Sequence, residues 1–466
     1  MRTTVSAALL ALLLVVPLLH ARGQASTLPL PPSGVLGVGE AQMTPAFWIG
    51  LQAQPDKVIL DRSQIQAQNA ALFARDGSMH ELRKLPATLS ATQVRGWIEG
   101  LARPPTRPLY DVEGKPVPAA RLEAIADARA LDTVPASQKT RFGMVVRRAA
   151  LRSFPTTLRV FSEPGDSDID RFQETAEFPG TPVLIAHASR DGRWLFVVSP
   201  RYAAWTEAAN IAEGSRADVL AYADKAPYRI VTGAKVYTVF TREAPAVSQV
   251  ELDMGTRVPV LTDLPPDQPV NGQTPYAAHV IELPVRKADG SLAFSPALIQ
   301  KNADTAADYL PLTPRNLITQ AFKFLGERYG WGHAYDGRDC SGFVSDVYRS
   351  MGVQMPRNTS SQGMSPAFAK QAFAKGSAHQ QRLRAAQGLQ LGDLVYIPGH
   401  VMLSLGQWRG QPWVIHDVLG MSYRTADGAT RHVKLNAVSV TPLLPMLAGK
   451  DSTFIDHMTS IVRMRP

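Results

Sequence analysis

At 466 residues the chain is too long for a single core and implies roughly three or four domains. A hydrophobic share of 45% excludes wholesale disorder, and a single cysteine excludes an internal disulfide. Forty-nine basic against 40 acidic residues give +9, a balance suited to nucleic acid, an anionic membrane or an acidic wall polymer.

The first residues choose among these. Met1-Arg2 precedes an apolar run from Val5 to Leu19, and Gly23-Gln24-Ala25 offers small residues for cleavage after Ala25. This is the layout of a secretory signal peptide over residues 1–25, and a run of about fifteen residues is short for a membrane span. No cysteine near the cleavage site can carry a lipid, and no later segment is long and apolar enough to span. An exported monomer is expected, periplasmic or secreted, with its mature N-terminus near Ser26. It has no stable membrane anchor, and nucleic acid is not an expected partner.

Residues 26–150 read as a mostly helical region with a Pro-, Gly- and Ser-rich lead-in to about residue 40. Ser63 to Phe73 and Ser90 to Leu101 each begin on a capping serine and carry apolar residues at helical spacing. Ala119 to Leu131 and Lys139 to Leu151 continue the helical pattern. No catalytic constellation is present, so a supporting role is expected.

From residue 151 the pattern changes to short β-type runs separated by Gly, Pro and Asp turns. Thr157 to Phe161, Pro182 to His187, Trp194 to Ser199 and the run from Ala204 form one set. Tyr228 to Val231, Lys235 to Thr241, Arg257 to Leu261 and Tyr276 to Leu283 form the next. Two small β-barrels are predicted, over residues 151–226 and 227–305. Asp191-Gly192 and Asp289-Gly290 are the predicted hairpin turns.

Residues 306–466 predict an α+β domain. Thr313 caps a helix running to about Tyr329, and a second helix starts at Asp339. Strands follow at Leu391 to Ile397, Val401 to Leu405 and Pro412 to Asp417. Cys340, at the N-terminus of the second helix, sits where the dipole and free N–H groups favour a thiolate. Such a nucleophile needs a base, and histidine is the usual one. His400 opens one strand and His416 ends another, each eight residues from Trp408. A hairpin folded about Trp408 places them directly opposite, on one face, so that one imidazole orients the other. Tyr329 is available to complete an oxyanion hole with the Cys340 N–H. As metal ligands the set is poor, because His333 and His432 have no ligand-like spacing and Cys340 is the sole thiol. No metal and no cofactor are expected.

Tyr329-Gly330-Trp331-Gly332, Asp339-Cys340-Ser341-Gly342, Pro356-Arg357-Asn358-Thr359 with Gln362, Gly392-Asp393-Leu394-Val395 and His400-Val401 resemble the NlpC family of papain-like cell-wall cysteine peptidases. The resemblance implies Cys340 as nucleophile, His400 as base, His416 as the orienting third residue and Tyr329 as oxyanion stabiliser. Three features depart from its pattern: His333 stands where glycine is common, Thr359 where serine is expected, and residues 365–388 form a longer insertion. With a helical region and two bacterial SH3-like barrels upstream, the layout resembles the subgroup that cuts peptidoglycan stem peptides between γ-D-glutamate and the diamino acid. Such enzymes often require a free N-terminal L-alanine, whose ammonium needs a carboxylate and oxygen acceptors. Asp339, Ser341, Thr359 and Tyr202 are the candidates for those contacts. An amidase or acyltransferase of the same fold, or a non-catalytic wall-binding protein, are the competing readings.

Overall fold

The computed structural model describes residues 28–31, 33–265 and 267–465, so the expected signal peptide lies outside the described residues. Among the described residues, no helix is long and apolar enough to cross a membrane.

The N-terminal helices form where caps and apolar spacing coincide. Arg62–Arg75 buries Ile65 and Leu72, seven residues apart on one face. Its cap is Asp61 rather than Ser63: the Asp61 carboxylate accepts from Gln64 N at 2.9 Å while Gln64 Oε1 accepts from Asp61 N at 2.8 Å. Ala91–Leu101 does start on the expected serine, with Ser90 Oγ accepting from Gln93 N. The helical expectation for Lys139 to Leu151 fails. Those residues form strands Arg141–Val145 and Ala149–Arg152. Phe142-Gly143-Met144-Val145 is too short a run to separate the two periodicities. Gly143, poor in a helix, lies where a Cβ would meet the Ile211 side chain at 2.7 Å.

These strands open a seven-stranded antiparallel sheet, so the first β unit begins before the expected boundary at residue 151. The strand order is Gln173–Glu177, Ala149–Arg152, Ala203–Glu207, Trp194–Val198, Pro182–Ala188, Arg141–Val145, Ile211–Gly214. Asp191-Gly192 turns the hairpin between the Pro182 and Trp194 strands. Thr157 to Phe161 is not a strand; only Phe161 bridges, to Tyr110.

The second β unit is built from three small antiparallel sheets. Tyr228–Val231 lies between Arg257–Pro259 and Thr305–Ala306, Lys235–Tyr237 pairs with Glu251–Asp253, and Ala278–Arg286 pairs with Leu292–Gln300. Val231, Leu252, Val258, Ile281 and Ile299 meet in their common core.

In the C-terminal domain Thr313 caps Pro314–Phe322, which stops short of Tyr329. The Cys340 helix, Cys340–Arg349, lays Phe343, Val344 and Val347 onto Val401, Leu403, Ile415 and Val438 of the sheet. Each such side chain contributes about 1.5–3 kcal/mol of burial. The sheet has six antiparallel strands in the order Ala369–Ala372, Ser460–Arg463, Leu394–Ile397, His400–Trp408, Gln411–Arg424, Thr430–Pro442. The first and last two in chain order, Ala369–Ala372, Thr430–Pro442 and Ser460–Arg463, are not among the expected strands. The 365–388 insertion supplies the edge strand Ala369–Ala372 and the helix His379–Gln387.

Two arginines lock the β units to the segment before Cys340. Arg338, fully buried, donates to Asp346 Oδ2 at 2.7 Å, Glu327 Oε1 at 2.8 Å and Asp253 Oδ1 at 2.8 Å. Arg148, from the first β unit, donates to Asp253 Oδ1 at 2.7 Å and to the carbonyls of His333 and Gly337 at 3.1 and 2.8 Å. The loop entering the nucleophile helix is therefore held from both β units at once.

Candidate active site

Cys340 is placed by its N-cap. Asp339 Oδ1 accepts from Gly342 N at 2.8 Å and Oδ2 from Gly332 N at 3.1 Å, tying the helix start to the preceding loop. That loop takes left-handed backbone at Gly332 and His333, with φ of 58° and 62°. A Cβ at Gly332 would meet the Glu174 backbone at 3.0 Å, so the loop seats directly on the first β unit. The sulfur lies 3.9 Å from the Gly399 carbonyl oxygen, and the Val401 N–H also points to it. Sγ is thus set against the backbone on both sides of His400.

The thiolate expected from the helix dipole does not describe the resting sulfur. Burial, and then the Asp339 charge, push the Cys340 thiol up to about 12. A helix terminus is worth at most about 2 kcal/mol, less than the several kcal/mol that burying an ion costs. Burial likewise lowers His400 to about 4. In the resting state both the thiol and the imidazole are neutral, and no hydrogen bond joins them among the described residues.

His400 Nε2 lies 2.7 Å from His416 Nδ1, and His416 Nε2 lies 2.9 Å from Thr441 Oγ1. The two histidines share a face, but not through the expected symmetry about Trp408. The hairpin turn is Arg409-Gly410, with Trp408 paired to Gln411. Continued unbroken, that register sets His400 opposite Leu419 and turns His416 to the other face. A bulge at Leu405, with Gly406 at φ 89°, shifts it by one residue, so that Leu403 faces Ile415. Extending the shifted register puts His400 diagonal to His416 rather than directly opposite. The bulge is what makes the pair possible.

Tyr329 is buried, with its N–H donating to Asn436 O at 3.0 Å. Burial and the neighbouring Cys340 hold its hydroxyl well above the usual range, so it remains a donor. Asp339 and Ser341 join a network that also takes in Arg357, quoted in the sequence motif without a role. Arg357 donates to Asp339 Oδ2 at 2.7 Å, to Ser341 Oγ at 2.7 Å and to Thr175 Oγ1 at 2.5 Å. Tyr202 donates to Glu174 Oε2 at 2.6 Å. Thr359 opens the helix Thr359–Met364 and makes no side-chain hydrogen bond among those described. His333 fills the departure from glycine: it is buried, takes a hydrogen bond from Arg357 at 3.1 Å on Nδ1, and is held neutral by burial. Glu174 is the residue sequence reasoning missed, because only the fold brings the first β unit to the nucleophile loop. No described group of three or more His, Cys, Asp or Glu is arranged to hold a metal ion.

Asp417 follows His416 on the face turned to the Cys340 helix, and it is fully buried with no described partner for its carboxyl beyond a weak contact from the Val418 N–H. Burial, then the Asp339 and Glu327 charges, raise it well above its usual value, which favours its protonated form. The folded state therefore binds this proton more tightly than the unfolded one, and stability falls as pH rises above about 3.9. Asp417→Asn removes that penalty. Its melting temperature relative to the native protein is expected to improve from pH 4 to pH 8; a difference that does not change with pH would contradict a buried neutral acid.

A cysteine at a helix start, over an antiparallel sheet carrying paired histidines, is the arrangement of papain-like cysteine peptidases. Residues 326–439 match the NlpC/P60 family, and residues 159–207 match the SH3 domain of the SH3b1 type. The SH3 match lies in the first β unit. Among solved structures, an NlpC/P60 endopeptidase from Photobacterium damselae subsp. piscicida is similar over 84% of this chain and 89% of its own, at 18% identity and TM-score 0.68. An NlpC/P60 family protein from Bacillus cereus ATCC 10987 covers 70% of this chain and 100% of its own, at 19% identity and TM-score 0.43. No curated protein matches the chain.

Proposed function

We propose that the protein is an exported cysteine endopeptidase that cuts the γ-D-glutamyl–diamino acid bond of peptidoglycan stem peptides. The observation that carries this reading is the Cys340 sulfur set against the start of the His400 strand, with His400 held by His416 at 2.7 Å. His400 Nδ1, the nitrogen not engaged with His416, takes the thiol proton as Sγ attacks the γ-carbonyl carbon. The oxyanion receives hydrogen bonds from the Cys340 N–H and the Tyr329 hydroxyl. His400 then protonates the leaving amine of the diamino acid, and water activated by the same imidazole hydrolyses the thioester.

In this reading the counter-charge for a free L-alanine amine is Glu174 rather than Asp339. Asp339 is already neutralised by Arg357 and used as a helix cap, so its charge is spent within the protein. Glu174 forms no ion pair among the described residues: Arg357 and Arg152 act on it only from a distance, the Tyr202 hydroxyl donates to it, and burial raises its carboxyl above the usual range. Glu174 and Tyr202 therefore form the amine site in this reading, and an arriving ammonium relieves the carboxylate's desolvation. Ser341 and Asp339 support it through Arg357.

The specificity test compares L-Ala-γ-D-Glu-diamino acid peptides with the same peptides joined to muramic acid, at equal concentration. Only the free peptides are expected to be cut. Glu174→Gln should lower kcat/KM on them by about 30–100-fold, as expected for loss of a buried charge pair. Equal rates on both substrates would show an open cleft at that end.

A further inference from the structure

Behind the histidine pair lies a chain of polar atoms with no exit to solvent. His416 Nε2 is 2.9 Å from Thr441 Oγ1, and Thr441 Oγ1 is 3.3 Å from Met446 Sδ. His416, Thr441 and Met446 are each fully buried. Thr441 lies on the neighbouring strand, two residues beyond Ser439, the register partner of His416, and so on the same face.

We propose that Thr441 is a positioning residue that sets the tautomer of both histidines. The assignment rests on the reading of His400 as base. A thioether sulfur only accepts, and a hydroxyl has a single hydrogen. Thr441 can give that hydrogen to Met446 Sδ or to His416 Nε2, and only the first choice leaves His400 Nδ1 bare, so the reading of His400 as base selects Met446. Its oxygen must then accept, so His416 carries its proton on Nε2. A neutral imidazole protonated on Nε2 has a bare Nδ1, and that nitrogen can only accept from His400 Nε2–H. His400 is left with an unprotonated Nδ1, the form needed to take the Cys340 proton. The order of donors runs from His400 to His416 to Thr441 to Met446, and each step is fixed once Thr441 donates to Met446. Burial keeps both rings neutral, so neither can satisfy two acceptors at once.

Thr441→Val keeps the shape and removes the acceptor. His416 then loses the partner for Nε2–H, and the tautomer with the proton on Nδ1 becomes competitive. That form reverses the whole order and puts a proton on His400 Nδ1. Met446→Leu acts differently: it frees the hydroxyl hydrogen to turn towards His416 Nε2, favouring the same wrong form.

The test is the imidazole 15N spectrum of the full-length protein, with turnover on a free stem peptide measured in parallel. In the native protein both rings are expected to show Nε2 protonated and Nδ1 bare. Thr441→Val and Met446→Leu should populate the reversed form and lower kcat by roughly 10–100-fold with KM little changed, and Thr441→Ser should restore both readouts. A native spectrum with Nδ1–H on either ring overturns the proposal, whether or not the Val variant folds. So does a folded Val variant with native tautomers and native kcat. Should the native protein show these tautomers yet cleave no stem peptide, the catalytic reading fails while the assignment of Thr441 stands.

Discussion

Cys340→Ala is expected to lose hydrolysis of stem peptides by about 10⁴–10⁶-fold while keeping its fold, since residues that act as a unit cannot be removed one at a time at small cost. The side chain contributes little to stability. Its sulfur makes only long contacts, to the Gly399 carbonyl and the Val401 N–H, and deleting a single buried atom costs on the order of 1 kcal/mol. His400→Ala is expected to match this loss, because the base and the nucleophile act as a unit. His416→Ala should keep measurable activity, since it orients the base rather than touching the reacting atoms. Steady-state rates with each purified variant, alongside a melting curve, check these outcomes. A folded Cys340→Ala protein with native turnover would remove the nucleophile from the mechanism.

The second large effect concerns stability. Arg338→Ala is expected to destabilise the protein by about 3–5 kcal/mol, the range found when one partner of a buried ion pair is deleted. The side chain is fully buried and neutralises Asp253, Asp346 and Glu327, while its guanidinium also stacks 4.3 Å from the Phe324 ring centroid. Alanine leaves two carboxylates fully enclosed and opens a cavity between the second β unit and the nucleophile helix. A loss of that size is a large share of ordinary folding stability. Denaturant titration of the native and variant proteins measures it. A change below about 1 kcal/mol would mean that the arginine is not what holds the two units together.

The nucleophile helix was legible because its signals are local: a capping Asp339, then apolar residues at helical spacing, all within about three turns. The histidine pair was legible only in outcome. Symmetric spacing about Trp408 suggested direct opposition, whereas the turn lies one to two residues later and the Leu405 bulge compensates for it. Bulges leave little trace in one sequence, although Gly406 marks where this one falls. The strands at Arg141 and Ala149 were misread because short apolar runs do not distinguish the two periods. The roles of Glu174, Arg357 and Arg338 depend on partners many residues away in chain order, and no local pattern reports such contacts.

Mass spectrometry of defined muropeptides after incubation with the mature protein, with Cys340→Ala as control, tests the central claim most directly. The expected products are L-Ala-γ-D-Glu and a peptide beginning at the diamino acid, formed by the native protein and absent from the control. Cleavage at another bond, or equal products from both proteins, would contradict a Cys340-dependent γ-D-glutamyl endopeptidase.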